Sequence, residues 1–160
     1  MNNDFYLGDS LGGKGVFSKK NFFVGDFIMD FGGKIYQLED LPKPYDTVDD
    51  HYMQIDDTLY LGPSGAFDDF INHSCDPNCG VQINGEKVQL LAIKNIAVGD
   101  ELTWDYSTTM AEDNWEMDCL CGTRNCRGRI RDFKYLPVEI QKQYLLAKVV
   151  PEYILRKLQK

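Results

Sequence analysis

The run Phe70-Ile71-Asn72-His73-Ser74-Cys75-Asp76-Pro77-Asn78-Cys79 decides how the rest of this chain is read. An apolar dipeptide leads into an amide, an imidazole, a hydroxyl and two thiols, with Pro77 breaking the backbone between the thiols. Polar and metal-capable groups crowded this closely cost folding free energy unless each finds a partner. Alone, the run fits a surface turn. Two distant segments argue for a built site: Glu101-Leu102-Thr103-Trp104-Asp105-Tyr106, and Cys119-Leu120-Cys121-Gly122-Thr123-Arg124-Asn125-Cys126-Arg127-Gly128.

Composition sets the frame. The 160 residues suit one domain with a real core, and 43% hydrophobic with 26% charged residues is a globular balance. No apolar run approaches a membrane span, and Met1-Asn2-Asn3-Asp4 lacks the regions of a signal peptide. The expected location is intracellular, cytoplasmic or nuclear, with a secreted effector left open. A formal charge of −8 speaks against direct nucleic-acid binding and for a cationic partner such as a lysine-rich peptide. Five cysteines, three of them tightly clustered, point to a metal rather than to disulfides.

Along the chain, Leu11-Gly12-Gly13-Lys14-Gly15-Val16-Phe17 offers glycines that let backbone amides approach a ligand, without the spacing of a P-loop or dinucleotide fingerprint. Phe22 to Tyr36 alternates turns and strands, and Leu41 to Asp50 reads as a loop. Tyr52–Ile55 and Leu59–Leu61 suggest a hairpin. Val81–Ile83 and Val88–Ile93 flank Asn84-Gly85, which predicts a second hairpin with a type I′ turn. Many short strands without a βαβ rhythm make the chain mostly β. Beyond Asp132, a helix is predicted from Pro137 through Lys148 with Ile140, Tyr144 and Ala147 on its inner face. A second begins at Pro151 with Ile154, Leu155 and Leu158 on one side.

Cys119, Cys121 and Cys126 supply three thiolates within eight residues, and Gly122 eases the turn around an ion. Structural zinc takes four ligands. The fourth comes from Cys75 or Cys79, with the two histidines poorer candidates, so a metal would tie the tail to the Asn72–Cys79 run.

Assembled in order, these residues resemble a SET-domain protein-lysine methyltransferase with a post-SET zinc tail, in a minimal, free-standing form. Gly13-Lys14-Gly15-Val16-Phe17 is similar to the family's glycine motif. Phe31-Gly32-Gly33 is similar to its Tyr-x-Gly motif, with Phe for Tyr. Phe70 to Cys75 matches the Asn-His-Ser-Cys motif, with Asp69 where Arg is common. Glu101 to Tyr106 matches Glu-Leu-Thr-x-Asp-Tyr, and Cys119 to Gly128 the post-SET tail.

The resemblance implies a mostly β SET fold, small curved sheets around a pseudoknot, over residues 1–108 with a short insert near 42–65. A zinc-binding tail follows at 109–131 and a helical extension at 132–160. It assigns zinc to Cys75, Cys119, Cys121 and Cys126, leaving Cys79 out. It implies S-adenosylmethionine as methyl donor, held by backbone at Lys14, Gly15, Val16 and Phe17 and by Tyr52, Asn72, His73 and Tyr106. Trp115 and Leu120 are candidates against the adenine. Tyr106 is the implied catalytic tyrosine, Phe31 lines the lysine channel without a hydroxyl, and Trp104 occupies the position that governs how many methyl groups are added. The implied partner is a lysine-bearing protein or peptide, a histone H3 tail being one candidate, with more than one methyl addition expected. Asp49, Asp50, Asp56 and Asp57 are candidates to rim its groove. The alternative is a catalytically silent SET fold that binds peptide or cofactor, an option kept by Phe31. A zinc hydrolase is disfavoured, since four thiolates leave no position for water.

Overall fold

The computed structural model describes residues 4–42, 51–113 and 115–159. Twelve short strands precede two helices. In order they are β1 (Phe5–Ser10), β2 (Gly13–Ser18), β3 (Phe27–Phe31), β4 (Ile35–Gln37), β5 (Met53–Gln54), β6 (Leu59–Leu61), β7 (Asn72–His73), β8 (Cys79–Asn84), β9 (Lys87–Ala92), β10 (Thr103–Trp104), β11 (Met117–Asp118) and β12 (Arg129–Ile130), then α1 (Val138–Leu146) and α2 (Glu152–Leu158). They form five small sheets: β1-β2, β3-β9-β8, β4-β6-β5, β7-β10 and β11-β12. All pairings are antiparallel except β7-β10, where Asn72 faces Thr103 and His73 faces Trp104 in parallel register.

The main core follows strand alternation. Val88, Leu90 and Ala92 of β9 turn inward and meet Val16, Val81 and Leu102, all essentially inaccessible. Complete burial contributes about 1.5–3 kcal/mol for each of these valines and leucines, and less for Ala92. β8 departs from alternation: Cys79, Gly80 and Val81 are all buried. A Cβ at Gly80 would lie 2.4 Å from Val149, so the C-terminal segment covers the outer face of this strand and only glycine fits beneath it. That segment builds a second cluster from Phe133, Leu136, Tyr144, Val149, Tyr153 and Ile154.

Three expectations are corrected. The hairpin closes at Asn84–Lys87, so Gly85 and Glu86 are its loop. Gly85 has φ 62° while Glu86 stays out of the positive region, the φ pattern of a type II′ turn rather than I′. The first helix ends at Leu146, before Lys148 at φ 57°, and Ala147 is exposed while Tyr144 and Val149 are buried. In α2 the buried residues are Tyr153 and Ile154, Leu155 is half-buried, and Leu158 is exposed. Two-turn helices carry too few residues for spacing to fix the inner face, and the tyrosines go inward because buried acceptors meet their hydroxyls. Among the described residues no helix is long and apolar enough to cross a membrane.

Candidate active site and thiol cluster

The Asn72–Cys79 run is crowded, but its polar groups are satisfied. The Asn72 amide donates to the Lys14 carbonyl at 2.9 Å and to Glu101 Oε1 at 2.7 Å. Ser10 donates to the other oxygen of Glu101 at 3.0 Å. A Cβ at Gly15 would fall 2.2 Å from Glu101 Oε1, so glycine is what lets this carboxylate and amide reach the β2 backbone. Asn78 donates to the Glu101 carbonyl at 2.8 Å and accepts the Thr103 N–H at 3.0 Å, bolting the run to the strand that crosses it. Sequence reasoning gave Asn78 no role.

His73 links two halves of the site. The Tyr106 backbone N–H donates to its Nδ1 at 3.2 Å, which puts the ring proton on Nε2, 3.3 Å from Cys75 Sγ. Burial, aided by the nearby Arg127 charge, lowers the imidazole to about 4 against the opposing pull of Asp105. His73 is therefore neutral at physiological pH. The Tyr106 hydroxyl donates to the Ile71 carbonyl at 2.9 Å, and burial pushes the phenol well above the ordinary tyrosine range. Its ring lies 4.9 Å from Trp104, which meets Phe31 edge-on at 6.3 Å.

These three aromatics belong to one cavity. Tyr52, Tyr60, Ile71, Met110 and Trp115 also line it, together with Asp68, Asp69 and Glu112. Asp68 accepts from the Gly32 N–H at 2.8 Å and the Ser64 hydroxyl at 2.7 Å, fixing the turn after Phe31. Asp69 instead accepts the Ser64 and Gly65 N–H groups at 2.9 and 2.7 Å, giving the residue at the usual Arg position a loop-holding role. Glu112 accepts from Tyr60.

The structure thus brings Phe31, Trp104, Tyr106, Tyr52 and Trp115 to one wall system. Lys14, Gly15, Val16, Phe17, Asn72, His73 and Leu120 are not among its lining residues. Val16 is wholly buried, with its carbonyl accepting the Leu102 N–H at 2.8 Å, and Leu120 is 71% exposed on the tail. Asp56 and Asp57 do not rim the cavity; they pair with Arg156 and Lys157 of α2. Asp49 and Asp50 lie outside the described residues.

A second constellation sits behind Tyr106. The sulfur atoms of Cys75, Cys119, Cys121 and Cys126 all lie within 4.8 Å of one another. Cys79 lies outside this group, buried with its thiol on its neighbour Asn78. The tail is shaped by β11-β12 and by the Cys119 N–H on the Gly128 carbonyl at 2.9 Å. Backbone N–H groups of Arg127 and Gly128 point at Cys75 and Cys126 sulfur at 3.3 and 3.4 Å. Burial raises Cys121, but hydrogen bonds from Thr123 and neighbouring groups outweigh it and hold this thiol at about 6. A tetrahedron with metal–sulfur bonds of about 2.3 Å has edges of about 3.8 Å. Cys75 and Cys119 are already 3.6 Å apart, so the four thiols fit a zinc ion.

The family model described as SET domain matches residues 13–107. The chain belongs to the SET-domain family.

This SET domain is 35% identical over 111 residues to human histone-lysine N-methyltransferase SETD1B, covering 67% of this chain and 5% of that protein. It is 32% identical over 128 residues to mouse histone-lysine N-methyltransferase NSD3, covering 72% of this chain and 9% of that protein. The chain thus spans less than a tenth of these curated relatives. Among solved structures, KRYPTONITE in complex with mCHG DNA and SAH superposes with a TM-score of 0.66 at 29% identity, over 79% of this chain and 29% of that one. The same protein with mCHH DNA, an H3(1–15) peptide and SAH gives 0.63 at 26%, with the same coverage. Arabidopsis thaliana SUVH6 in complex with SAM shares the fold at 0.65 and 21% identity, over 79% of this chain and 33% of that one.

Sequence reasoning missed Asp105 and Arg127 as partners in this SET domain. Arg127 grips Asp105 with two nitrogens at 2.8 Å each, a fork that joins the cysteine tail to the Tyr106 segment. Both residues stand inside motifs, yet nothing in spacing announces a pairing across 22 positions.

Proposed function

We propose that this SET domain methylates the side-chain amine of a protein lysine, with S-adenosylmethionine as donor. The observation that carries the reading is the Phe31–Trp104–Tyr106 cavity built on the β7-β10 crossing, within a chain whose family relatives are histone-lysine methyltransferases. S-adenosylmethionine supplies a methyl group on a positively charged sulfur.

The chain's part is to deliver a neutral amine, aligned and dry. Asp68, Asp69 and Glu112 at the cavity favour arrival of a cationic side chain. Deeper in, the aromatic walls disfavour the charged form and push the amine toward losing its proton. Tyr106, held by His73 and the Ile71 carbonyl, keeps its phenol protonated and its oxygen fixed, so it orients the amine. Phe31 closes the wall without adding a donor. Cys75, Cys119, Cys121 and Cys126 would hold a structural zinc, which would tie the tail to the Asn72–Cys75 run rather than activate water.

The substrate we favour is a histone H3-like tail, supported by the relatives' names and by the neighbour bound to an H3(1–15) peptide. Trp104 lacks the phenol that would pin a water beside the amine, which supports more than one methyl addition. A silent binding module is the second reading, favoured by the missing hydroxyl at Phe31. Labelled-methyl transfer from S-adenosylmethionine to histones and to a cell lysate, with mass spectrometry of the modified residue, decides between them. Methyl-lysine supports the enzyme; donor binding without transfer to any protein supports the module.

A further inference from the structure

Asp105 gathers donors from three parts of the chain. Its side chain is wholly inaccessible. Oδ1 accepts the Ser107 N–H at 3.1 Å and Arg127 Nη2 at 2.8 Å; Oδ2 accepts Arg127 Nη1 at 2.8 Å and the Tyr144 hydroxyl at 2.9 Å. A carboxylate this deep needs every one of those donors, because water cannot replace them.

The node closes a ring. Asp105 adjoins Tyr106; the Tyr106 N–H meets His73, His73 Nε2 faces Cys75 sulfur, and Cys75 receives the N–H of Arg127, whose guanidinium returns to Asp105. Tyr144 enters from outside this loop. It sits on α1, 39 positions from Asp105, in a cluster pinned by Val149 over Gly80. Its hydroxyl is the C-terminal segment's only hydrogen bond to Asp105 among the described residues.

We infer that Tyr144 is a positioning residue: its hydrogen bond to Asp105 holds that carboxylate square to Arg127, and so keeps the Cys119–Gly128 tail closed on the Asn72–Cys75 run. Closure of that tail shapes the methyl-donor side of the site, a consequence that rests on the donor reading above. The tail's own approach to the glycine hairpin supports this, since the Gly122 position packs on Leu11 at the β1-β2 turn. The C-terminal helices are then part of the machinery, acting through Asp105 rather than on substrate.

The test uses the full chain as Tyr144→Phe and, as control, Tyr153→Phe. The control removes an equally buried hydroxyl from the same cluster, one that bonds the Gln54 and Thr109 carbonyls and touches neither Asp105 nor Arg127. Hydrogen exchange of the tail amides, calorimetric affinity for SAH, and separate kcat and KM values are measured. Tyr144→Phe should accelerate tail exchange and weaken SAH roughly tenfold, the loss of one hydrogen bond to a charged group. KM for the donor should rise with it while kcat at saturation holds. Tyr153→Phe should do neither. Unchanged exchange in Tyr144→Phe, or equal effects from both variants, would overturn the inference. If the wild type fails to bind SAH, the donor reading falls, and the exchange comparison alone still decides the role of Tyr144.

Discussion

Replacing Arg127 by methionine isolates the contribution of the Asp105 node. The substitution keeps much of the side chain's apolar length while deleting both 2.8 Å contacts. Asp105, with no exposed side-chain surface, is left with Ser107 and Tyr144 as donors and no opposing charge within the pair. Breaking a buried pair by removing one partner costs about 3–5 kcal/mol. Arg127 retains 16% exposure and two neutral donors remain, which places the expected loss near the lower end, about 3 kcal/mol. For a chain of this size each kcal/mol moves the melting midpoint by about 2–4 °C, so the shift is roughly 6–12 °C. Urea unfolding of the purified protein measures the loss directly, provided the slope is unchanged. Adding Asp105→Asn removes the stranded charge and should recover at least half of it. A single variant within about 1 kcal/mol of wild type would refute the idea that this pair is a buried anchor.

Metal content should vanish in Cys75→Ser and persist in Cys79→Ser, because only Cys75 lies with the tail thiols; the reverse pattern in elemental analysis would move the fourth ligand. Burial pushes the Cys79 thiol up to about 12, so the reactive thiolate is scarce at neutral pH. In the native protein an alkylating reagent should leave Cys79 unmodified at pH 7, with labelling rising only toward pH 12, as mass spectrometry of the Cys79 peptide would report. Trp104 should permit a second methyl addition, and Trp104→Tyr should shift the product toward monomethyl-lysine at long reaction times. Monomethyl-lysine alone from the wild type would mean the bulk of the indole excludes a methylated amine.

Much of this was legible because the informative residues are local. Asn72 to Cys75, Thr103 to Tyr106 and Cys119 to Cys126 each announce themselves within a few positions. The Asn-Gly pair marked a hairpin in the right place, although Asn84 stayed in the strand and Gly85 opened the turn. Partnerships across the chain were not legible. Asp105 with Arg127 and Tyr144, or Asp68 with the Gly32 backbone, join groups 22 to 39 positions apart, and a buried carboxylate leaves no periodic trace. Asp56 and Asp57 were only candidates for a substrate rim, because a sequence shows charge but not the Arg156 and Lys157 that pair with it. Tyr52 and Trp115 share a cavity with the channel aromatics rather than with Lys14 to Phe17, a division that spacing does not carry.

The proposed methyl transfer rests on Tyr106 working at the reacting amine through a hydroxyl fixed by the Ile71 carbonyl. Tyr106→Phe keeps the ring against Trp104 and removes only that oxygen. Single-turnover methyl transfer to a lysine peptide, measured with SAH affinity on the same protein, is the direct test. Transfer should fall on the order of 10²-fold or more with SAH binding preserved. Transfer at the wild-type rate would contradict it.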